Sequence, residues 1–390
     1  MSGTSADGID AALVSIQGHR EDLQIKLKSF ATFPYSPAMR KRIFAATHQA
    51  RAAAICRLNF ELGELFAEAV LKLCRRARIL PEKVAFIGSH GQTICHLGTK
   101  GTLQIAEPAV IAARTGIMTV ADFRPQDIAV GGEGAPLTPY FNYLLFRDTH
   151  LNLAVHNLGG ISNMTVIPRG RRPQEVYGFD TGPGNMIIDG LVRHFTKGQK
   201  LFDPAGQIAA RGVICLPLLT RLLQHPFFRK SPPKTAGREQ FGDLYLREFR
   251  HEARRFRLRE QDMLATATAL TAASLAASYR KFVFPKFIPD EIVFGGGGIR
   301  NRTLMRMISQ ELLGIKIVTC DERGISADAA EAVCFAVLGY QTLHGIPSNL
   351  PQVTGAKQAV VLGKIVPSYI SEYALNISAK TKARKRSPFL

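Results

Sequence analysis

The stretch Phe179-Asp180-Thr181-Gly182-Pro183-Gly184-Asn185 places a carboxylate at the end of an apolar run and just ahead of a helix-patterned segment, Met186 to Val192. A carboxylate there can take a proton from an attacking oxygen. The glycine turn and the helix N-terminus can offer N–H groups to an anion. Phosphoryl transfer asks for those parts, although a tight strand-to-helix turn capped by Asp180 explains the same residues. A second segment, Ser2-Gly3-Thr4-Ser5-Ala6-Asp7-Gly8-Ile9-Asp10, gathers glycines, hydroxyls and two carboxylates in one turn. Its backbone could close on phosphate oxygens, with Asp7 holding Mg²⁺ through water; taken alone, a plain Asp-Gly hairpin is the simpler account. It is not a Walker A loop, because no Gly-Lys-Ser/Thr closes it and a strand follows. After Phe294 come four glycines, Gly295 to Gly298. That many cost conformational entropy, so a flat or anionic group such as an adenine or ribose is expected against this backbone.

Other polar residues divide between support and binding. His90 and His96 have no carboxylate partners at metal-ligand spacing and read as satisfied histidines beside a cleft. Arg124, next to the loop ending Gly134-Ala135-Pro136, could grip a substrate carboxylate in bidentate fashion or tie the loop to Asp122 or Asp127. Asp328 and Glu331 fall three residues apart in a helix expected to start at Ser326, hence on a shared side. The helix dipole accounts for one acid there. Glu331 borders the apolar positions Ala330, Val333, Cys334 and Val337 and would suit hydrogen bonds to sugar hydroxyls.

The elements that must hold these residues read as α/β. Strands are expected at Ile9–Ile16, Leu23–Phe30, Val84–Gly88, Thr102–Ile105, Leu153–Asn157, Asn163–Ile167, Val176–Asp180 and Glu291–Phe294. Helices are expected at Arg51–Arg76, Ala109–Thr115, near Phe241–Arg257, at Asp262–Phe282, after Asn301, and from Ser326 to near Leu343. The 122–139 segment reads as a loop. Gly3-Thr4-Ser5 before its strand resembles Gly160-Ile161-Ser162 before another, a weak internal echo that suits two similar domains across a nucleotide cleft.

With 390 residues, 46% hydrophobic and 21% charged, the chain can bury a large core, and two domains are expected. No apolar run reaches membrane-spanning length and no secretory leader is legible, which points to the cytoplasm. The six cysteines form no zinc or C-x-x-C spacing and read as free thiols. The net charge of +19 is concentrated at Arg40–Arg42, Arg169–Arg172, Arg247–Arg259 and the C-terminal tail. It favours anionic partners without selecting one, and no nucleic-acid-binding motif accompanies it.

Together these segments resemble the anhydro-N-acetylmuramic acid kinases of the sugar kinase/Hsp70/actin superfamily. The resemblance runs from about Ser2 to about Pro367 through SGTSADGID, SHGQT, TLQIAEPAVIAARTGI, ADFRPQDIAVGGEGAPLTP, NLGGISN, GFDTGPGN, PPKTAGREQFG, VFGGGGIRN and ADAAEA. It implies a two-domain actin-like ATPase (ribonuclease H-like) fold with an interdomain cleft. The first domain would be 1–150 plus 330–367 and the second 151–329, leaving 368–390 as a basic, disordered tail. It also implies an ATP- and Mg²⁺-dependent enzyme that opens the 1,6-anhydro ring and phosphorylates O6. Asp180 would be the general base. Gly3 to Asp10, Gly160, Gly182, Gly184, Gly296 and Gly297 would meet ATP. Glu331, Arg124 and His90 would meet the sugar, Arg124 at the lactyl carboxylate on chemical grounds. A homodimer is implied, with neither membrane nor specific nucleic acid as partner.

Three departures bear on that expectation. The family has an apolar strand ahead of the SGTS turn and this sequence begins at Met1. Either translation starts several codons upstream, or the hairpin carries an unpaired edge and the chain is an impaired sugar- or nucleotide-binding relative. Ala106 stands where the family has Gly, and the basic tail has no assigned role.

Overall fold

The apolar run Leu153–Leu158 is buried over almost all its length and forms the middle strand of a five-stranded sheet. Ile161–Ile167 and Tyr177–Pro183 follow it as an antiparallel meander, while Glu291–Gly295 and then Lys316–Thr319 add in parallel on its other side. The parallel strands need crossovers, and helices supply them. Arg302–Glu311 links the last two strands, started by Asn301, whose side chain accepts from the Leu304 N–H at 3.0 Å. The long helix Glu260–Phe282 carries Glu260 and Asp262 in its first turn and Arg280 and Lys281 in its last, each complementing the helix dipole. Its inner face closes a core with Leu158, Val166, Phe179, Tyr279 and Phe294. A second core joins Ile187, Leu191, Phe241, Phe249 and Leu270. This sheet order, with three antiparallel strands extended by two parallel ones, is the ribonuclease H-like order, and the chain is α/β as expected.

The computed structural model describes residues 1–3, 6–19, 22–170 and 172–368. The expectations for Thr4, Ser5, Arg171 and the tail beyond residue 368 lie outside the described residues. The chain divides into two compact units, Leu145–Asp328, which holds the five-stranded sheet, and Met1–Leu144 with the chain from Ala329 onward.

In the latter unit Gly8–Gln17 and Gln24–Pro34 form an antiparallel hairpin with a register slip between Leu13 and Val14. Gln92–His96 pairs with Thr102–Ile105, and Lys364–Val366, Thr119–Ala121 and Ile87–Gly88 make a three-stranded sheet. Helices Ala52–Ala77 and Pro108–Thr115 cover the hairpin side through Leu58, Leu62, Phe66 and Ile111. Met1 pairs with Asp10 as in an antiparallel ladder, its N-terminal ammonium donating to the Asp10 carbonyl at 2.9 Å and its carbonyl accepting the Asp10 N–H at 2.8 Å. Among the described residues the Gly8–Gln17 strand is otherwise laddered on one edge only. Along its other edge runs a cavity of about 420 Å³ lined by Ile9 to Ile16, Phe66, Leu73 and residues 84–89.

Several expectations change. Val84–Gly88 is laddered only at Ile87 and Gly88, because residues 84–86 face that cavity. The last helix starts at Ala330, not Ser326; Ala329 offers no side-chain cap, and Asp328 lies before the helix in an ion pair with Arg300. Asp328 and Glu331 therefore share no helix face. The 122–139 loop contains a short helix, Pro125–Ala129. All six cysteines are free thiols. Among the described residues no helix is long and apolar enough to cross a membrane.

Candidate active-site residues in each unit

Asp180 sits where the Tyr177–Pro183 strand leaves its regular pairing, beside a register slip between Ser162 and Asn163. The segment 234–236 clamps it from one side: the Asp180 N–H donates to the Lys234 carbonyl at 3.0 Å, and the Ala236 N–H donates to Asp180 Oδ2 at 2.7 Å. Burial pushes its pKa from 3.8 to about 7, against the pull of the Ala236 N–H and Lys234 and with Glu239 adding repulsion. Some solvent contact remains, since the residue is only part-buried. A carboxyl near 7 exchanges protons readily at neutral pH, as a general base must.

Behind it a buried polar chain fixes the strand. Tyr279 Oη lies 3.2 Å from His156 Nδ1, His156 Nε2 lies 2.7 Å from Ser162 Oγ, and Thr181 Oγ1 donates to that same Oγ at 2.8 Å. Desolvation drives the His156 pKa down to about 3, so this imidazole is a neutral link.

The glycines nearby fall into two groups. A Cβ on Gly184 would stand 2.2 Å from the Gly159 carbonyl, and one on Gly182, whose φ is +149°, would stand 2.8 Å from Phe228 Cε1. Packing therefore accounts for both, and the Gly184 N–H already donates to the Gly160 carbonyl at 2.9 Å. Gly160 meets nothing closer than Met186 Cε at 3.5 Å, and Gly297 has open space. Gly296 turns the chain at φ +80° against Asn157 and Leu158, which leaves Gly297 bare. Gly160 and Gly297 thus provide a backbone cradle with no side chain in the way, which fits a nucleotide.

The other unit groups a second set. Arg124 donates through Nε to His90 Nε2 at 3.1 Å and through Nη1 to the Gly134 carbonyl at 2.8 Å. His90 is buried, its Nδ1 lies 3.1 Å from the Gly91 carbonyl, and burial holds its pKa well below the usual histidine range. His90 is thereby fully engaged as a prop for Arg124, the satisfied-histidine reading. Glu331 is an exposed side chain in dense surroundings: desolvation raises its pKa, the Arg124 guanidinium lowers it and Asp10 raises it. Asp10 Oδ1 accepts from Thr32 Oγ1 at 2.6 Å, and Ser2 Oγ donates to the Gly8 carbonyl at 2.9 Å. Ala6 takes a left-handed φ of +48°, which brings its N–H to the Gly3 carbonyl at 3.1 Å. Asp7 borders a cavity of about 490 Å³ with Tyr35, Arg40 and Lys41. The two cations, read from sequence only as local charge, suit phosphate. Among the described residues no three potential ligands gather for a metal ion. A cation held by phosphates, water and one carboxylate such as Asp7 remains compatible with that. Ala106 is buried at a φ of +113°, where glycine is favoured, so the departure seen in sequence is a strained position.

A ribonuclease H-like sheet, a raised carboxyl at a strand end and bare glycine turns are parts an actin-like phosphotransferase would use. Within that class the model for the family "Anhydro-N-acetylmuramic acid kinase" matches residues 1–368. The chain belongs to the anhydro-N-acetylmuramic acid kinase family. A relative of that name from Caldanaerobacter subterraneus subsp. tengcongensis is 48% identical over 376 residues, covering 94% of this chain and 95% of the relative. Relatives of the same name from Bacillus cereus strain G9842 and Clostridioides difficile strain 630 are 44% and 42% identical, each match covering 94% of this chain and 97% of the relative. The chain is accordingly a kinase, a phosphotransferase with an alcohol acceptor, and uses ATP.

Proposed function

We propose that this kinase acts on anhydro-N-acetylmuramic acid in cell-wall recycling, and that Asp180 is its general base. Water bonds to the anomeric carbon as the bond from that carbon to O6 breaks; Asp180 takes the water proton, and O6 becomes the phosphoryl acceptor. The product is N-acetylmuramate 6-phosphate. ATP supplies the phosphoryl group. Gly3, Ala6 to Asp10, Gly160, Gly296 and Gly297 offer backbone toward the nucleotide, Asp7 toward water on Mg²⁺. Gly182 and Gly184 shape the turn. Glu331 orients sugar hydroxyls, and Arg124, held by His90, takes the lactyl carboxylate. The reaction belongs in the cytoplasm, where ATP is available, and the homodimer rests on the family resemblance alone, to be read by sedimentation.

The observation that carries this reading is the carboxyl of Asp180, fastened at 2.7 Å to the Ala236 N–H and raised to about 7. A coupled ADP-release assay with anhydro-N-acetylmuramic acid tests it. Asp180→Asn is expected to abolish turnover while calorimetry still detects the sugar. Near-normal turnover in that variant would refute the assignment, and sugar binding without ADP release in the unaltered chain would establish the impaired relative instead.

A further inference from the structure

Lys234 is a buried lysine, 6% exposed, whose Nζ has no hydrogen-bond partner among the described residues. Three aromatic rings surround it: Phe227 at 4.7 Å, Phe282 at 5.0 Å and Phe179 at 5.7 Å from Nζ to ring centre. Phe179 directly precedes Asp180, and the Lys234 carbonyl receives the Asp180 N–H. A leucine or methionine would fill such a cage without the cost of desolvating an ammonium. Cation–π attraction recovers part of that cost but does not explain why a charge is there.

We propose that Lys234 is a positioning residue for Asp180, its caged ammonium favouring the ionised form of the neighbouring carboxylate against burial while its backbone fixes that carboxylate in place. The inference rests on the reading of Asp180 as the base. Among the described residues the other charged groups that act on this pair are Glu239 and Lys281. Glu239, on the Arg238–Phe241 turn, repels Asp180. Lys281, on the long helix, repels Lys234, and its Nζ donates to the Arg229 carbonyl at 3.2 Å. Burial lowers Lys234 to about 8, with Asp180 opposing, so at neutral pH it carries its charge. Its hydrogen-bond-free setting means the charge acts through the field, strongest in a site of low polarity.

Lys234→Met keeps volume and apolar contact and removes only the charge. The acidic limb of kcat/KM against pH is expected to move up by about one unit, a loss of about fivefold at pH 7 that approaches about tenfold well below it and closes at high pH. Lys234→Arg should return the limb toward its original place. Thermal melting checks that the methionine variant folds, and Lys234→Leu is read in the same way should it not. An unmoved limb, or an equal loss at every pH in the methionine and arginine variants, overturns the proposal. Asp180→Asn measured alongside separates the two readings: if it retains turnover, the base assignment fails first, whereas an inactive Asp180→Asn with an unmoved Lys234→Met limb defeats only the role of Lys234.

Discussion

Asp180→Asn should make the protein more stable while it removes activity, and the gain should depend on pH. Burial raises the carboxyl from 3.8 to about 7. Between those values the folded protein holds a proton that the unfolded chain has released, so stability falls as pH rises through that window. The penalty is complete above about pH 7, where the displacement corresponds to an upper bound of about 4 kcal/mol. Asparagine escapes it, and its amide oxygen can still accept the Ala236 N–H. Because Asp180 keeps some solvent contact, screening reduces the expected gain to about 2 kcal/mol. For a cooperative unit the size of Leu145–Asp328, that amounts to a rise of about 4–8 °C in Tm. Calorimetric melts of both proteins from about pH 4 to about pH 8 should show curves that nearly coincide at the acid end and separate as pH rises. A difference that stays constant across the series, or an asparagine variant that melts lower at the alkaline end, would show that Asp180 is not a desolvated carboxylate.

Three other perturbations follow from particular backbone positions. Ala106→Gly relieves a residue at φ +113°; about 1–3 kcal/mol of strain outweighs roughly 0.8 kcal/mol for the lost methyl, so urea midpoints should rise slightly. Gly184→Ala drives a Cβ to 2.2 Å from the Gly159 carbonyl and should lower stability by about 2–3 kcal/mol in the same denaturation, with turnover falling because the turn after Asp180 must move. A six-residue apolar strand fused ahead of Met1 would lie along the cavity of about 420 Å³ and replace an ammonium that burial has lowered to about 6 by a neutral amide. That amine costs stability as pH falls from 8 toward 6, about 1.4 kcal/mol near pH 7, so the fused protein should melt higher and lose the slope between those pH values.

What the sequence disclosed, and what it withheld, separates along one physical line. The Asp180 turn and the 295–298 glycines were legible because local chain geometry demands those residue types wherever they occur: Gly296 needs φ +80°, and Gly184 abuts a carbonyl. Leu153–Leu158 and Glu260–Phe282 were legible through burial on all sides. Lys316–Thr319 and Thr119–Ala121, three or four residues each, are too short for alternation to register, and only the sheet gives them partners. Ser326 resembled a helix start, yet the helix waits until Ala330. Lys234 is the extreme case. Its meaning lies in Phe179, Phe227 and Phe282, which come from three elements far apart in the chain, so nothing within its own heptapeptide distinguishes it from a solvated lysine. Burying a cation unpaired opposes folding, as does raising a carboxyl to about 7 beside it. Two such costs borne side by side, the Ala236 N–H and the Lys234 carbonyl both tied to Asp180, mark this corner as one kept for chemistry at the expense of stability.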